Sequence, residues 1–343
     1  MAENLMYGGL GLIILLVLVL PFTIKKVEQN LEFFLFVMGL LSVLISQQMT
    51  LELFKKALEE PIMITAAVLG FGIIFKIFKT KINHMIQSVQ RHVPARLLMF
   101  LIVLILGLMS SVITAIIAAL LLVEIVNNLK LDRTSEVALV IISCFAIGLG
   151  AALTPIGEPL ATIVISKLHA DFWYLFRNFG ELIVPAIIAL GLFAAFFIRT
   201  EQEPLGLESL QEEESYKEVV LRALKIYLFV MALTFLGTGL KPIIDRFILG
   251  LPSQILYWIN MISAILDNAT LAAAEISDKM SLDQIMAILL GLLISGGMLI
   301  PGNIPNIIAA SKLNIQSKEW ARLGVPVGLV IMVAFYGIIF YLI

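Results

Sequence analysis

The chain contains two similar stretches, Gly157-Glu-Pro-Leu-Ala-Thr-Ile-Val-Ile-Ser-Lys-Leu168 and Gly302-Asn-Ile-Pro-Asn-Ile-Ile-Ala-Ala-Ser-Lys-Leu313. They share Gly, Ile, Ser, Lys and Leu at the same positions. A second pair lies upstream of them in the same order, Ser110-Ser-Val-Ile-Thr-Ala-Ile-Ile-Ala-Ala119 and Ser263-Ala-Ile-Leu-Asp-Asn-Ala-Thr-Leu-Ala272. Chance similarity is the alternative, because apolar residues match easily. The Ser-Lys-Leu endings and the shared order favour an internal repeat.

The composition indicates a membrane protein. Of the 343 residues, 60% are hydrophobic and 14% are charged, compared with roughly 25% charged residues in soluble domains. The single cysteine cannot form an intrachain disulfide, and with three histidines it cannot build a familiar zinc cluster. The scattered basic residues give no nucleic-acid footprint. Because no catalytic or nucleotide-binding fingerprint is present, we expect neither an enzyme nor a bound cofactor.

Two uncharged runs, 97–123 and 284–311, are too long for one straight helix across a bilayer. As continuous helices they would reach about 40 Å, whereas the hydrocarbon core is about 30 Å thick. Clusters of Gly, Pro, Ser and Asn interrupt the apolar sequence in and around these runs. Because lipid cannot satisfy interrupted backbone, the breaks must be buried in protein or line a watery cavity. A functional site is therefore expected at the breaks.

These features predict an all-α polytopic membrane protein with two inverted repeats, each with a re-entrant hairpin and a broken transmembrane helix. An odd number of full crossings in each repeat forces the second copy to point the opposite way. We read residues 5–24 as the first span rather than a signal peptide. The predicted parts are an N-terminal two-span scaffold (1–60), repeat 1 (61–199, hairpin 97–129, broken helix 135–169), an acidic cytoplasmic linker (200–217) and repeat 2 (218–343, hairpin 252–277, broken helix 283–313).

If the first span begins outside, most Lys and Arg residues of the predicted topology fall on the cytoplasmic side of the membrane. The positive-inside rule then puts both termini outside and the protein in the cytoplasmic (inner) membrane. Residues 79–96 alternate apolar and polar positions at helical spacing. This pattern predicts an amphipathic helix at the cytoplasmic interface.

Asp267 is the main candidate for chemistry, because an ionised Asp at the membrane centre costs roughly 2.5 to 3.5 kcal/mol. It could be structural, as the N-cap of a half-helix that begins at Asn268. It could also be functional, alternating between a proton and a metal cation, with Asn268, Ser263 and unwound carbonyls as further oxygen ligands. The two roles are compatible.

Glu158 is the second candidate, since it stands between Gly157 and Pro159 at the predicted break of the helix 135–169. Its alternative role is that of a helix-start carboxylate at an interfacial kink. Other polar residues at the breaks and hairpin tips are candidate ligands, although small polar residues can also serve packing alone. They are Thr154, Thr114, Ser110, Ser111, Asn303, Asn306 and Thr270. Glu275 is expected at a solvated end, and Trp320 is expected to be an interfacial anchor.

Four stretches resemble a known transporter group. They are Gly-x-x-x-Thr-Pro-Ile-Gly-Glu-Pro (150–159), Ser-Ala-Ile-Leu-Asp-Asn-Ala-Thr (263–270), Gly-Asn-Ile-Pro-Asn (302–306) and Asn-Leu-Glu-Phe-Phe-Leu-Phe-Val-Met-Gly (30–39). They look like the ion transporter superfamily of NhaD-type sodium/proton antiporters, ArsB-type arsenite permeases and citrate or dicarboxylate carriers. The nearest resemblance is to its branch of small predicted cation transporters of unknown function.

The resemblance implies a homodimer in which both hairpins and both broken helices move as an elevator through the lipid. It implies that Asp267-Asn268 matches the acidic hairpin motif of the antiporter-like members, and that Gly157-Glu158 and Gly302-Asn303 match the paired broken-helix motifs. Carboxylate carriers resemble one another in a Ser-Asn-Thr motif at both hairpin tips, and this chain departs from that motif. A cation (sodium)/proton antiporter is therefore favoured over a sodium-coupled symporter of a small oxyanion or carboxylate. A channel or a non-transporting scaffold is a third alternative.

Overall fold

The computed structural model describes residues 2–62, 65–66, 69–70, 73, 77, 93–129, 131–198, 216–247, 251–265, 268–276 and 280–342. Within these residues every regular element is a helix, and six helices are long and apolar enough to cross a membrane. The chain is therefore an all-helical protein of multi-pass type. The predicted amphipathic helix falls mainly on residues 78–92 and the predicted linker mainly on 199–215, which lie outside the described part.

Among the described residues, the α-helices form fifteen segments. They are α1 (Ala2–Thr23), α2 (Lys25–Gln29), α3 (Leu31–Ile45), α4 (helical residues 51–62, 65–66, 69–70, 73 and 77), α5 (Ala95–Ile113), α6 (Ala115–Leu129), α7 (Arg133–Ala151), α8 (Pro159–Lys167), α9 (Tyr174–Phe197), α10 (Tyr216–Phe247), α11 (Ser253–Ile259), α12 (Asn268–Glu275), α13 (Leu282–Gly296), α14 (Ile304–Leu313) and α15 (Ser317–Tyr341). Helix α3 ends at Ile45, and two residues later Gln47 adopts a left-handed backbone with φ 57°.

The centre of the molecule is formed by α7 and α13. Every residue from Leu139 to Ala151 is buried, and so is every residue from Ile285 to Gly296. The outer helices, in contrast, expose large apolar side chains such as Leu15 on α1, Phe197 on α9 and Val330 on α15. This distribution suits helices that face lipid around a packed protein interior.

Polar contacts join the start of α7 to the end of α14. The Arg133 guanidinium donates to the carbonyl oxygens of Leu313 and Asn314, both at 3.0 Å, and pairs with Glu319 at 2.9 Å. Asp132 caps α7 by accepting the backbone N–H of Ser135 at 3.1 Å. The first residue of α7 and the last residue of α14 therefore lie at the same face of the molecule.

Small residues allow α3 and α10 to pack very closely. A Cβ atom added to Gly39 would lie 2.8 Å from the Ala232 carbonyl oxygen, and one added to Gly239 would lie 2.6 Å from the backbone carbon of Ser42. The Ser42 hydroxyl donates to the Gly39 carbonyl at 2.7 Å. Small residues that bring two backbones together are typical of helix contacts in membranes.

We expect Gly239→Ala to destabilise the protein by about 1 to 3 kcal/mol, because the added methyl group would overlap the α3 backbone. Gly337→Ala is the matched control, since a Cβ atom there meets nothing within 4 Å. The thermal unfolding midpoint in detergent measures the difference. Equal midpoints for the two variants would contradict the close α3–α10 packing.

Candidate functional site

Two helices are interrupted at segments whose residues are mostly buried, although Ile156 in the first segment is exposed. Residues 152–158, the first break, separate α7 from α8, and residues 297–303, the second break, separate α13 from α14. Prolines at or beside each break, such as Pro159 and Pro301, cannot donate a helical hydrogen bond. The freed backbone groups must find partners within the protein.

The helices that precede the breaks make the same hydrogen bond in both halves of the chain. The Ser110 hydroxyl donates to the Ile147 carbonyl at 3.0 Å, and the Ser263 hydroxyl donates to the Leu292 carbonyl at 3.0 Å. Ser110 and Ser263 match in one pair of similar stretches. Ile147 and Leu292 match when the other pair is extended upstream. The two halves therefore share tertiary contacts as well as sequence.

A second matching contact differs in one side chain. A Cβ atom on Gly150 would overlap the Gly107 carbonyl oxygen. In the second half, Ser295 matches Gly150 and Asn260 matches Gly107. There the Ser295 hydroxyl donates to the Asn260 carbonyl at 2.7 Å and lies 2.7 Å from the Ser263 hydroxyl. Close backbone approach in the first half is thus replaced by a serine pair in the second.

Glycine allows each break to fold back on the helix before it. A Cβ atom on Gly157 would overlap the carbonyl oxygen of Ala151, the last residue of α7. A Cβ atom on Gly302 would lie 2.5 Å from the carbonyl oxygen of Gly296, the last residue of α13. Neither turn has room for a side chain, which explains the glycine at both positions.

The turn between α5 and α6 rests against the first break. Thr114 has φ 76° and ψ 150°, a backbone conformation that is costly for any residue other than glycine. The N–H of Ala115 donates to the Gly157 carbonyl at 2.9 Å, and the Thr154 hydroxyl donates to the Ser111 carbonyl at 2.5 Å. These contacts hold the strained turn against the interrupted helix.

Amides satisfy the backbone at the second break. The Asn268 amide, oriented with its nitrogen as donor, reaches the Ser263 hydroxyl at 2.9 Å and the Gly302 carbonyl at 3.2 Å. The Asn306 amide donates to the Gly296 carbonyl at 2.8 Å and to the Leu299 carbonyl at 2.9 Å. The start of α12 and the start of α14 are therefore fixed at one place.

The second break lies directly against α7. A Cβ atom on Gly148 would lie 2.7 Å from the Asn303 amide nitrogen, and one on Gly297 would overlap the Phe145 ring. Asn303 is 7% exposed, and Glu158, at the matching position of the first break, is 8% exposed. The structure thus gives both halves a buried polar side chain at the same point of the break.

Most of the candidate residues are buried at these breaks and turns. The buried ones are Ser110, Thr154, Glu158, Ser263, Asn268, Asn303 and Asn306, and the partly buried ones are Ser111 and Thr114. Asp267 lies outside the described residues, directly before the first residue of α12. Thr270 is within that helix, but its side chain is also outside the described part.

Two expectations from the sequence are wrong. Glu275 is 2% exposed rather than solvated, and Trp320 is fully buried and donates to the Gly297 carbonyl at 3.1 Å rather than anchoring an interface. A position near a helix end does not reveal which other helix covers it. The small residues before Glu275, of which Ala272 is buried, were the available signal, because they allow α12 to pack closely.

A cavity of about 390 Å³ opens near the second break. It lies between α3, α10 and the connection from α14 to α15, and its walls include Ile300 and Ile307. The Glu32 carboxylate and the Lys225 ammonium form an ion pair of 2.9 Å at its wall. The cavity leads from the face that carries the end of α14 toward the interior.

The available donors are mainly oxygens. Among the described residues no cluster of three or more His, Cys, Asp or Glu side chains could hold a resident metal ion. The candidate side chains at the breaks carry carboxylate, hydroxyl and amide oxygens, which are ligand types that hard cations prefer.

Single substitutions of Gly150 and Ser295, which occupy matching positions, test the contact that each residue makes. Gly150→Ala should destabilise the protein severely, because its methyl group has no space. Ser295→Ala should cost about 1 to 3 kcal/mol by removing a buried hydrogen bond. Thermal unfolding in detergent gives the order of the two effects. A Gly150→Ala variant as stable as the unchanged protein would contradict the overlap.

Thiol labelling tests the cavity. Cys144 is buried and should give little background. Ser311→Cys, in the cavity wall, should react with a membrane-impermeant maleimide added to one side of oriented vesicles, whereas Ser143→Cys, which is fully buried, should not. Equal labelling of both variants, or labelling of Ser311→Cys from both sides, would contradict an opening at one face.

Comparison with known proteins gives a family but no activity. A search of curated proteins finds no match to this chain. A family model described as "Protein of unknown function (DUF1646)" matches residues 8–342. Because the match covers nearly the whole chain, the protein belongs to the DUF1646 family.

Proposed function

We propose that this protein is a secondary active transporter that exchanges a small cation, sodium, for protons. The observation that carries this proposal is the meeting of two interrupted helices in the protein interior, with Asn303 of one break against α7 and Glu158 buried in the other. Burying the backbone groups of an interrupted helix costs free energy. A transport site that uses these groups and moves gives a reason for keeping the interruptions.

The contacts support two inverted repeats. The start of α7 adjoins the end of α14 through Arg133 and Leu313. At the other end, the Lys167 ammonium, in the last turn of α8, donates to the Ile276 carbonyl directly after α12 at 3.1 Å. These two contacts support opposite directions for the two interrupted helices, which an inverted repeat requires.

A re-entrant hairpin is supported by contacts along α5. Contacts proceed in the same order along both segments. Gly107 of α5 contacts Ala146 of α7, Ser111 contacts Thr154 of the first break, and Ala115 after the turn contacts Gly157. Thus α5 runs in the same direction as α7. Because α6 must then return to the start of α7, the chain reverses at the turn.

Cation exchange follows from the chemistry of the candidate ligands. Carboxylate, amide and carbonyl oxygens bind a hard cation, and a carboxylate away from water is stabilised by either a cation or a proton. Asp267 immediately precedes Asn268, whose amide contacts the second break. Competition between a cation and a proton for Asp267 and Glu158 couples the two fluxes.

Elevator-type movement would carry the two breaks and the two hairpins, 97–129 and 252–277, past a scaffold. The close pairing of α3 with α10, separate from the matched contacts of the two halves, supports such a division. The exposed apolar faces of α1, α9 and α15 leave surface for lipid or for a second copy in a homodimer.

A sodium-coupled symporter of a small oxyanion or carboxylate is the second candidate. Helices α6, α8, α12 and α14 all begin at the breaks or turns. Helix N-termini carry a partial positive charge that favours anions. In this case Asp267 would bind sodium alone.

Proteoliposomes with an internal pH dye distinguish these functions. We expect a sodium gradient to drive proton flux, and Asp267→Asn and Glu158→Gln to abolish it, because each removes a titratable carboxylate from the site. Glu52→Gln, at an exposed position of α4, is the control and should transport normally.

Normal exchange by both site variants would refute the assignment of the site. Sodium-dependent uptake of a labelled anion, without sodium-driven proton flux, would refute the antiporter in favour of the symporter.

A further inference from the structure

Glu275, the last residue of α12, is a buried acid that the proposed cation site does not use. It is 2% exposed, although it lies at the opposite end of α12 from Asn268. The helix has 8 residues, so the two ends are roughly 10 Å apart at 1.5 Å per residue. The carboxyl group is therefore a separate feature from the breaks.

Among the described residues, no donor reaches this carboxyl group with standard hydrogen-bond geometry. Both carboxyl oxygens of Glu275 are buried without a hydrogen bond, and so is the amide oxygen of Asn260. The Asn260 side chain lies within interaction distance of the carboxyl group, but its nitrogen makes only a long contact of 3.5 Å, to the Ile288 carbonyl. Buried polar atoms without a partner are unusual in a folded protein.

Among the described residues, the charged groups named below lie on helices that pack against α12 and are exposed or have other partners. Asp278 and Lys279, which follow Glu275 in the sequence, lie outside the described residues. On α8, the Lys167 ammonium donates to the Ile276 backbone carbonyl. On α13, Asp283 is exposed, and on α10, Lys241 and Asp245 pair with each other at 2.7 Å. A helix C-terminus also carries a partial negative charge, which disfavours a carboxylate at this position.

One proton supplies what the acceptors lack. A protonated carboxyl group has an O–H donor and an acceptor oxygen, so it can pair with either end of the Asn260 amide. Protonation also removes a buried negative charge that would cost several kcal/mol unpaired. A metal ion fits less well, since hard cations such as Ca²⁺ take six to eight oxygen ligands, and neither residue lines the 390 Å³ cavity.

We infer that Glu275 is a proton-binding site of this protein, with its neutral carboxyl group paired to the Asn260 amide. The inference rests on the proposed function in one respect, namely that this proton is exchanged for sodium in addition to those that compete with sodium at Asp267 and Glu158. Binding converts the carboxylate and a proton from water into the neutral acid. Release returns the proton to water when α12 and its partners move and expose the group. This proton and the cation then occupy opposite ends of one helix.

Infrared spectroscopy tests the bound proton without transport. Purified protein at neutral pH should show the carbonyl stretch of a protonated carboxyl group, and Glu275→Gln should lose that band. Glu52→Gln, at the exposed control position, should retain it. A spectrum in which Glu275→Gln leaves the protonated-carboxyl bands unchanged would overturn the inference.

Transport then tests the coupling. Glu275→Gln keeps a donor for Asn260, so it should fold and carry out exchange of labelled sodium for sodium while moving fewer protons for each sodium ion. Normal proton flux in this variant would overturn the coupling role. If the unchanged protein exchanges no sodium at all, the proposed function fails, while the infrared result still decides whether Glu275 holds a proton.

Discussion

Backbone polar groups in a bilayer must find partners inside the protein, and this requirement organises the structure. The breaks at 152–158 and 297–303 free such groups from their helices. Asn306 and the glycine turns at Gly157 and Gly302 provide contacts that only a packed interior allows. The burial of α7 and α13, with the apolar outer helices around them, follows from the need to keep both breaks away from lipid.

The matched contacts of the two halves make their differences informative. The hydrogen bonds of Ser110 and Ser263 are equivalent, so the scaffold around each break is alike. The side chains at the breaks differ, since Glu158 in the first half matches Asn303 in the second. A symmetric frame with an acid on one side and an amide on the other suits a site that binds one cation between two halves.

The apolar composition and the Gly and Pro clusters were sufficient to predict an all-helical membrane protein with interruptions at both breaks. The start of α12 at Asn268 was also predicted, because polar residues interrupt the apolar run there. The burial of Trp320 was not predictable and that of Glu275 was indicated only by the small residues before it, since both depend on contacts between helices distant in sequence. Residue type and position in a span describe a helix alone, whereas exposure is a property of the whole packing.

The central claim is that sodium and protons compete for the carboxylates of Asp267 and Glu158. Calorimetric titration of the purified protein with sodium chloride, repeated in buffers of different ionisation enthalpy and pH, measures this directly. The account predicts that sodium binding releases protons and that sodium affinity falls as the pH is lowered. Sodium binding without proton release and with the same affinity at every pH, or no sodium binding at all, would contradict it.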